Sequence, residues 1–124
     1  MIISEATKVF IATQPVDMRK QHNGLSALVF RYFPEALASG HYFVFYNRRR
    51  NRLKILFYHQ GGLVLYYKRL EKGQFILPHF HSPAHSAQIP SSQLHLILNG
   101  LDSRQLPPRP LWKPRKKVKS GMDR

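Results

Sequence analysis

Residues 41–70 read HYFVFYNRRRNRLKILFYHQGGLVLYYKRL, and they carry the clearest structural pattern in the chain. Three runs rich in Tyr, Phe, Val, Ile and Leu are separated by a basic turn at residues 47–51 and by Gln60-Gly61-Gly62. Short apolar runs divided by turn residues are typical of antiparallel strands joined by hairpins. A fourth run ends at Leu77. The predicted strands of this β-meander are 41–46, 52–59, 63–70 and 74–77.

A strand and a helix are predicted before the meander. The strand is KVFIA at residues 8–12, a β-rich run that ends before Thr13-Gln14-Pro15. The helix is predicted to begin at Asn23, a favourable N-cap, and to end at Phe33-Pro34. Its apolar residues fall on one helical face, which comprises Leu25, Leu28, Val29, Tyr32 and Phe33.

A second helix is predicted after a long loop at residues 78–90. Ser91 or Ser92 is the predicted cap of this helix, and Asn99-Gly100 ends it. Its apolar residues repeat at helical spacing and are Leu94, Ile97, Leu98 and Leu101. From residue 104 onward the chain is rich in Pro, Lys and Arg, a composition typical of a disordered tail.

These elements predict a single small α+β domain, an antiparallel β-meander with two short helices. We expect the domain at residues 1–103 and the basic, Pro-rich tail at residues 104–124. The predicted strands are apolar on both faces, since Leu53 and Ile55 share one face while Leu56 lies on the other. We expect the two helices to cover one face, and a second copy of the chain or another protein to cover the other.

The charge of the chain indicates an anionic partner. The 124 residues include 20 Lys and Arg against 6 Asp and Glu, a formal net charge of +14 that favours polyanions such as nucleic acids. An apolar fraction of 43% is enough for a packed core and argues against a fully disordered chain. Because the chain has no cysteine, disulfides, thiolate zinc sites and a cysteine nucleophile are excluded.

The sequence predicts a cytoplasmic protein. Its apolar runs are far shorter than the roughly 18 residues needed to cross a bilayer. The N-terminal residues MIISEATK lack the charged and apolar sections of a signal peptide.

Several short motifs follow one another along the chain. They are DMRK at residues 17–20, NGLSALV at 23–29, SGHYFVF at 39–45, the basic turn at 47–52, YKRLEKG at 67–73 and GLD at 100–102. In this order and spacing they resemble the TnpB accessory proteins of the insertion sequence 66 family of bacterial transposable elements. The resemblance spans nearly the whole predicted domain. It implies a bacterial protein that accompanies a separate, larger transposase and assists transposition.

Basic residues are the candidates for contact with nucleic acid. Four arginines at the tip of the first predicted hairpin can reach phosphates, although a run of charge is also typical of a solvated turn. Arg19 and Lys20 precede the first helix, where they either hold a phosphate near its N-terminus or leave Arg19 paired with Asp17. The full set is Arg48, Arg49, Arg50 and Arg52 in the hairpin, Lys54, Lys68, Arg69 and Lys72 on neighbouring strands, Arg19 and Lys20, and Arg115, Lys116 and Lys117 in the tail.

Catalytic and metal sites have little support in the sequence. His79, His81 and His85 have the spacing H-x-H-x3-H, with His59 or His95 as a further ligand, but their loop position and the lack of Cys argue against a metal. The six acidic residues are scattered, and no phosphate-binding glycine loop or nucleophile elbow is present. We therefore predict a protein without catalytic activity, metal or cofactor.

The leading hypothesis is an accessory protein of transposition that binds DNA through the basic hairpin and tail. The apolar sheet face left uncovered would then meet a second copy of the chain or the transposase. One alternative is a protein interaction module of the transposase complex that never contacts DNA. Another is an RNA-binding domain, although no RNP-type aromatic motif favours it.

Overall fold

A five-stranded mixed sheet forms the centre of the protein in the computed structural model, which describes residues 6–81 and 83–100. The sheet has the spatial order β4-β3-β2-β1-β5, in which β1 and β2 are parallel and all other neighbours are antiparallel. The strands are β1 (Val9–Ala12), β2 (Tyr42–Tyr46), β3 (Arg52–His59), β4 (Gly62–Arg69) and β5 (Ser86–Ile89). Two helices complete the predicted α+β fold, α1 (His22–Tyr32) and α2 (Ser91–Leu98).

Helix α1 forms the crossover that parallel strands require, because it connects β1 to β2. Its N-cap is Gln21 rather than the predicted Asn23, and no side chain caps it. The helix ends at Phe33, whose extended backbone is favoured by the following Pro34. A short 3-10 helix (Leu37–Ser39) then leads into β2.

Helix α2 begins one residue earlier than a serine cap would allow. Pro90 occupies the N-cap position, so the prediction that Ser91 or Ser92 caps the helix is wrong. The predicted end is confirmed: Gly100 has φ +73°, and its backbone N–H donates to the carbonyl oxygen of Ile97. Leu101, predicted to face the core, lies outside the described residues.

The prediction of a fourth meander strand at residues 74–77 is wrong. Residues 74–77 form no strand, although Phe75 and Leu77 are buried and mimic the alternation of one. The fifth strand is instead β5, which lies in the predicted loop and pairs antiparallel with β1. It covers backbone groups of β1 that would otherwise form an open sheet edge.

The two helices pack against opposite faces of the sheet. Lys54 on β3 is the cross-strand partner of Tyr67 on β4, so these two side chains share a face. Lys68 follows Tyr67 in the strand and therefore lies on the opposite face. The Lys54 ammonium donates to the chain that enters α1, and the Lys68 ammonium donates to Leu98 at the end of α2. The expectation that both helices cover one face is therefore corrected.

Aromatic packing defines the α1 side of the core. The Phe33 ring lies against Phe43 and Phe45, at centroid distances of 5.4 and 5.5 Å. Every residue of β1 and β2 is buried. On α1, Phe30 is 93% exposed, more than any other large apolar residue that the structure describes. No helix within the described residues is long and apolar enough to span a membrane.

Candidate nucleic-acid interface

Three basic loops meet at one end of the sheet because of the strand directions. β1 and β2 end together, β3 begins there, and β4 ends opposite the start of β3. The loop after β1 stays at this end, since the backbone N–H of Val16 donates to the carbonyl oxygen of Tyr46 at 2.8 Å. We call this surface the basic end; it comprises Arg19, Lys20, Arg48, Arg49, Arg50, Arg52, Arg69 and Lys72.

The arginine turn (residues 47–52) is held by two asparagines at its base. The Asn47 side-chain oxygen accepts hydrogen bonds from the backbone N–H groups of Asn51 and Arg52, both at 3.0 Å. The Asn47 side-chain nitrogen donates to the Asn51 side-chain oxygen at 2.7 Å. Arg50 takes a left-handed conformation with φ +59°, which a non-glycine residue rarely adopts without such support.

The chain that follows β4 braces the arginine turn from outside. The backbone N–H groups of Leu70 and Phe75 donate to the carbonyl oxygens of Asn51 and Arg50, at 2.8 and 2.6 Å. The Gln74 side chain donates to the Arg49 carbonyl oxygen at 2.9 Å. Three consecutive carbonyl groups of the turn are thus bonded to residues 70–75, which fixes its backbone.

Positive charge accumulates at the basic end with little compensation. Arg52 and Arg69 are direct partners across β3 and β4, and like charges in that position repel. Arg69 also pairs with Glu71 at 3.1 Å, and both side chains are exposed. Within the described part of this end, the acidic groups are Asp17 and Glu71. An anion bound across the arginines would relieve the repulsion.

Arg19 forms an ion pair with Asp17, which is one of the two alternatives predicted for these residues. The Arg19 guanidinium lies 2.8 Å from the Asp17 carboxylate, which also accepts the Arg19 backbone N–H at 2.9 Å. These hydrogen bonds lower the pKa of Asp17 to about 2 and raise the pKa of Arg19. The Arg19 side chain remains 91% exposed, so its remaining donors face solvent.

Lys54 does not extend the basic surface, contrary to expectation. Its side chain is only 4% exposed, and its ammonium donates to the carbonyl oxygens of Met18 and Lys20, both at 2.7 Å. The ammonium also lies 5.0 Å from the centre of the Tyr67 ring. Burial lowers the pKa of Lys54. Lys54 therefore positions the loop that carries Arg19 and Lys20.

Lys68 is likewise committed to the fold. It is half-buried, and its ammonium donates to the Leu98 carbonyl oxygen at 2.6 Å. The expectation that it joins the hairpin patch is corrected in the same way, whereas Arg69 and Lys72 are exposed at the basic end. Arg115, Lys116 and Lys117 lie outside the described residues.

A comparison with known families connects this geometry to a class of proteins. The family model TnpB_IS66, described as IS66 Orf2 like protein, matches residues 7–108. The chain belongs to this family. The predicted resemblance is thereby confirmed, and membership indicates an accessory role in transposition.

Relatives of this IS66 Orf2-like protein occur in Sinorhizobium fredii. The uncharacterized protein y4jC is 34% identical over 113 residues, which cover 91% of this chain and 95% of the relative. The uncharacterized protein y4hO is 33% identical over 109 residues, covering 88% and 91% of the two chains. No solved structure matches the chain.

The histidines of this IS66 Orf2-like protein are dispersed. Within residues 6–81 and 83–100, no group of three or more His, Asp or Glu side chains lies close enough to hold a metal ion. His85 instead contacts Tyr32, with ring centroids 4.3 Å apart.

The sequence predicted neither the contact between the His85 and Tyr32 rings nor the role of Asn47 in the arginine turn. The asparagines that flank the arginine run were the available signal, because Asn side chains commonly bond to nearby backbone in turns.

Proposed function

We propose that this IS66 Orf2-like protein binds DNA through the basic end and assists the transposase of its element without catalysing a reaction itself. The observation that carries the proposal is the convergence of three basic loops on one end of the sheet. The proposal places the protein in the bacterial cytoplasm, where it has access to the DNA of the element. The tail residues Arg115, Lys116 and Lys117 add phosphate contacts in this proposal.

The braced backbone of the arginine turn favours binding. A flexible basic segment loses conformational entropy when it becomes ordered on DNA, whereas a turn held by Asn47 and by residues 70–75 has already paid that cost in folding. Arg48, Arg49 and Arg52 are exposed and available to phosphates. Contacts to phosphates position a protein on DNA but do not read its sequence. We therefore propose binding with little dependence on sequence.

Salt dependence tests the proposal. Each phosphate contact releases counterions and contributes nearly one unit to the slope of log affinity against log salt on duplex DNA. Replacing Arg48, Arg49, Arg50 and Arg52 together by Ala is expected to weaken binding on every sequence and to flatten that slope by up to about 3 to 4 units.

A control variant separates the effect of where a positive charge lies from the effect of net charge. Lys8 is exposed at the opposite end of the sheet, so Lys8→Ala removes one positive charge without touching the basic end. Arg49→Ala, its matched partner, is expected to lower the slope by nearly one unit, while Lys8→Ala leaves it unchanged. Equal slopes for the intact chain and the quadruple variant, with folding preserved, would contradict DNA binding by the arginine turn.

Contact with the transposase is the second part of the proposal. Phe30 is almost fully exposed on α1, beside a groove lined by Phe33, Pro34 and Leu37. Phe30 and this groove together form a small apolar patch that a protein partner can cover, which also supports the alternative of an interaction module without DNA binding. Sedimentation with and without the transposase tests this, and Phe30→Ser is expected to weaken the complex. A monomer in both conditions would contradict partnership and self-association alike.

Absence of turnover is the third part. Asp17 and Glu71, the carboxylates at the basic end, are paired with Arg19 and Arg69. Incubation with labelled single- and double-stranded DNA and Mg²⁺ or Mn²⁺ is expected to yield no cleavage. Cleavage that is lost in Asp17→Ala or Glu71→Ala would overturn this part.

A further inference from the structure

A pocket of about 290 Å³ opens beside the basic end. It lies between the loop after β1, the C-terminal half of α1 and the residue before β5. Leu28, Phe33 and Phe45 supply its apolar lining, and the Tyr32 and His85 rings lie together at one side. The polar groups that line it are Gln14, Asp17 and Lys20.

The lining suits one planar ring system. Aromatic side chains stack on the faces of nucleic-acid bases, and this interaction tolerates any base because each has a π-face. The volume lies at the small end of ligand pockets, which span roughly 300 to 1,000 Å³. The Gln14 amide has no hydrogen bond to any residue that the structure describes, and it can both donate to and accept from a base edge.

The pocket is continuous with the basic end through Lys20. This residue lines the pocket and belongs to the loop that Lys54 fixes by its two hydrogen bonds. Arg19, the preceding residue, carries an exposed guanidinium. A base inside the pocket would therefore have its own phosphate close to Lys20, and the neighbouring phosphates would extend along the basic end.

We propose that this pocket receives one unpaired base of the DNA whose backbone lies on the basic end. The inference rests on the proposed function and adds to it a preference for DNA with an unpaired nucleotide over fully paired duplex. A base at a single-stranded end is already free of its partner, so placing it in the pocket costs little unpairing energy.

Binding to three DNA molecules tests the proposal by fluorescence anisotropy. They are a blunt duplex, the same duplex with a short single-stranded overhang, and that overhang built from abasic nucleotides. The overhang is expected to raise affinity over the blunt duplex by at least about fivefold, the lower end for one stacked base. The abasic overhang keeps the extra phosphates and is expected to lose this gain.

Two exposed tyrosines supply the matched control. Tyr32 lines the pocket, whereas Tyr58 lies outside it, near the end of β3. Tyr32→Ala is expected to lower affinity for the overhang and leave blunt-duplex affinity unchanged, and Tyr58→Ala is expected to change neither. Gln14→Ala, a change at an exposed position, is expected to act in the same direction as Tyr32→Ala.

Each contrary result has a distinct meaning. Equal affinity for the blunt, overhang and abasic DNAs overturns the base pocket and leaves the proposed function standing. Loss of affinity for all three DNAs in Tyr32→Ala also overturns the base pocket and leaves the proposed function standing. Absence of binding to any DNA by the intact chain overturns the proposed function, and the pocket proposal with it. Saturation by free deoxyadenosine monophosphate at micromolar concentration identifies a free-nucleotide site instead and overturns the proposal.

Discussion

The two hairpin turns of the sheet are built in different ways. The glycine turn (residues 59–62) joins β3 to β4 through Gln60 and Gly61, both of which have positive φ angles, as tight two-residue hairpins favour. The arginine turn joins β2 to β3 and depends on Asn47, Asn51 and residues 70–75. One turn follows from local backbone geometry. The other is fixed by side chains and by a distant segment, which is more support than chain reversal alone requires.

In the proposed function, this difference favours the basic end, not the glycine turn, as the surface that binds DNA. Repulsion among adjacent arginines favours a spread, mobile loop, and the observed turn resists it through hydrogen bonds to its carbonyl groups. A positively charged surface with a fixed backbone binds an anion with a smaller entropy loss. The variants below each remove one element of support, either at the basic end or at the glycine turn.

The largest loss of stability is expected for Asn47→Ala. The change leaves the backbone N–H groups of Asn51 and Arg52 without their acceptor, and it should lower the free energy of unfolding by about 2 to 3 kcal/mol. Urea unfolding is the measurement. Arg48→Ala, an exposed change in the same turn, is the control, and equal stabilities of the two variants would show that Asn47 does not hold the turn.

Lys54→Met tests the support of the second basic loop. Methionine fills similar space but donates no hydrogen bond, so the carbonyl groups of Met18 and Lys20 lose their donor. We expect unfolding to become easier by about 2 kcal/mol. Lys68→Met, which removes one bond on the other face, is expected to cost about 1 kcal/mol. A Lys54 variant as stable as the intact chain would refute the positioning role.

Gly61→Ala strains the glycine turn and leaves the basic end intact. At φ +88° a Cβ atom meets no neighbour within 4 Å, so the cost is backbone strain alone, about 1 kcal/mol. Gly62→Ala is the matched control, because Gly62 has no positive φ and its nearest contact is 4.0 Å away. Thermal unfolding compares the two variants, and DNA affinity is expected to stay unchanged in both. Weakened DNA binding in Gly61→Ala would remove the distinction between the turns.

The smallest effect concerns the exposed pair of Asp17 and Arg19. Because the pKa of Asp17 falls from 3.8 to about 2 in the folded chain, its contribution to stability is present above pH 4 and is lost as the pH falls through 2. Thermal stability of the intact chain and of Asp17→Asn should therefore differ slightly near pH 5 and converge near pH 2. A difference that is constant over this range would contradict the assigned pair.

The strands that could be predicted are those with local signals. β2, β3 and β4 end within one residue of their predicted limits, because glycines and polar turn residues separate them. β5 could not be recognised, because SAQI lacks β-rich character and becomes a strand only by pairing with β1. Phe75 and Leu77 led to the opposite error, since burial of alternate residues occurs there without a strand partner.

The candidate site also has one part that the sequence predicts and another part that depends on contacts between distant residues. The arginine turn is visible in the sequence as consecutive basic residues, and its position at the end of a hairpin follows from the strands beside it. Lys54 carries no signal that separates it from an exposed strand lysine, since its partners are backbone carbonyl groups 34 and 36 residues away. The pocket at Tyr32 and His85 also depends on long-range packing, which joins α1 to the start of β5.

Backbone amide chemical shifts recorded during titration with duplex DNA test the central claim most directly, because they report on both ends of the sheet in one experiment. The account predicts that the perturbed amides fall at residues 16–20, 47–52 and 69–75, and that those of residues 58–63 at the glycine turn stay unchanged. Perturbations centred on the glycine turn, or spread evenly over both ends, would contradict binding at the basic end.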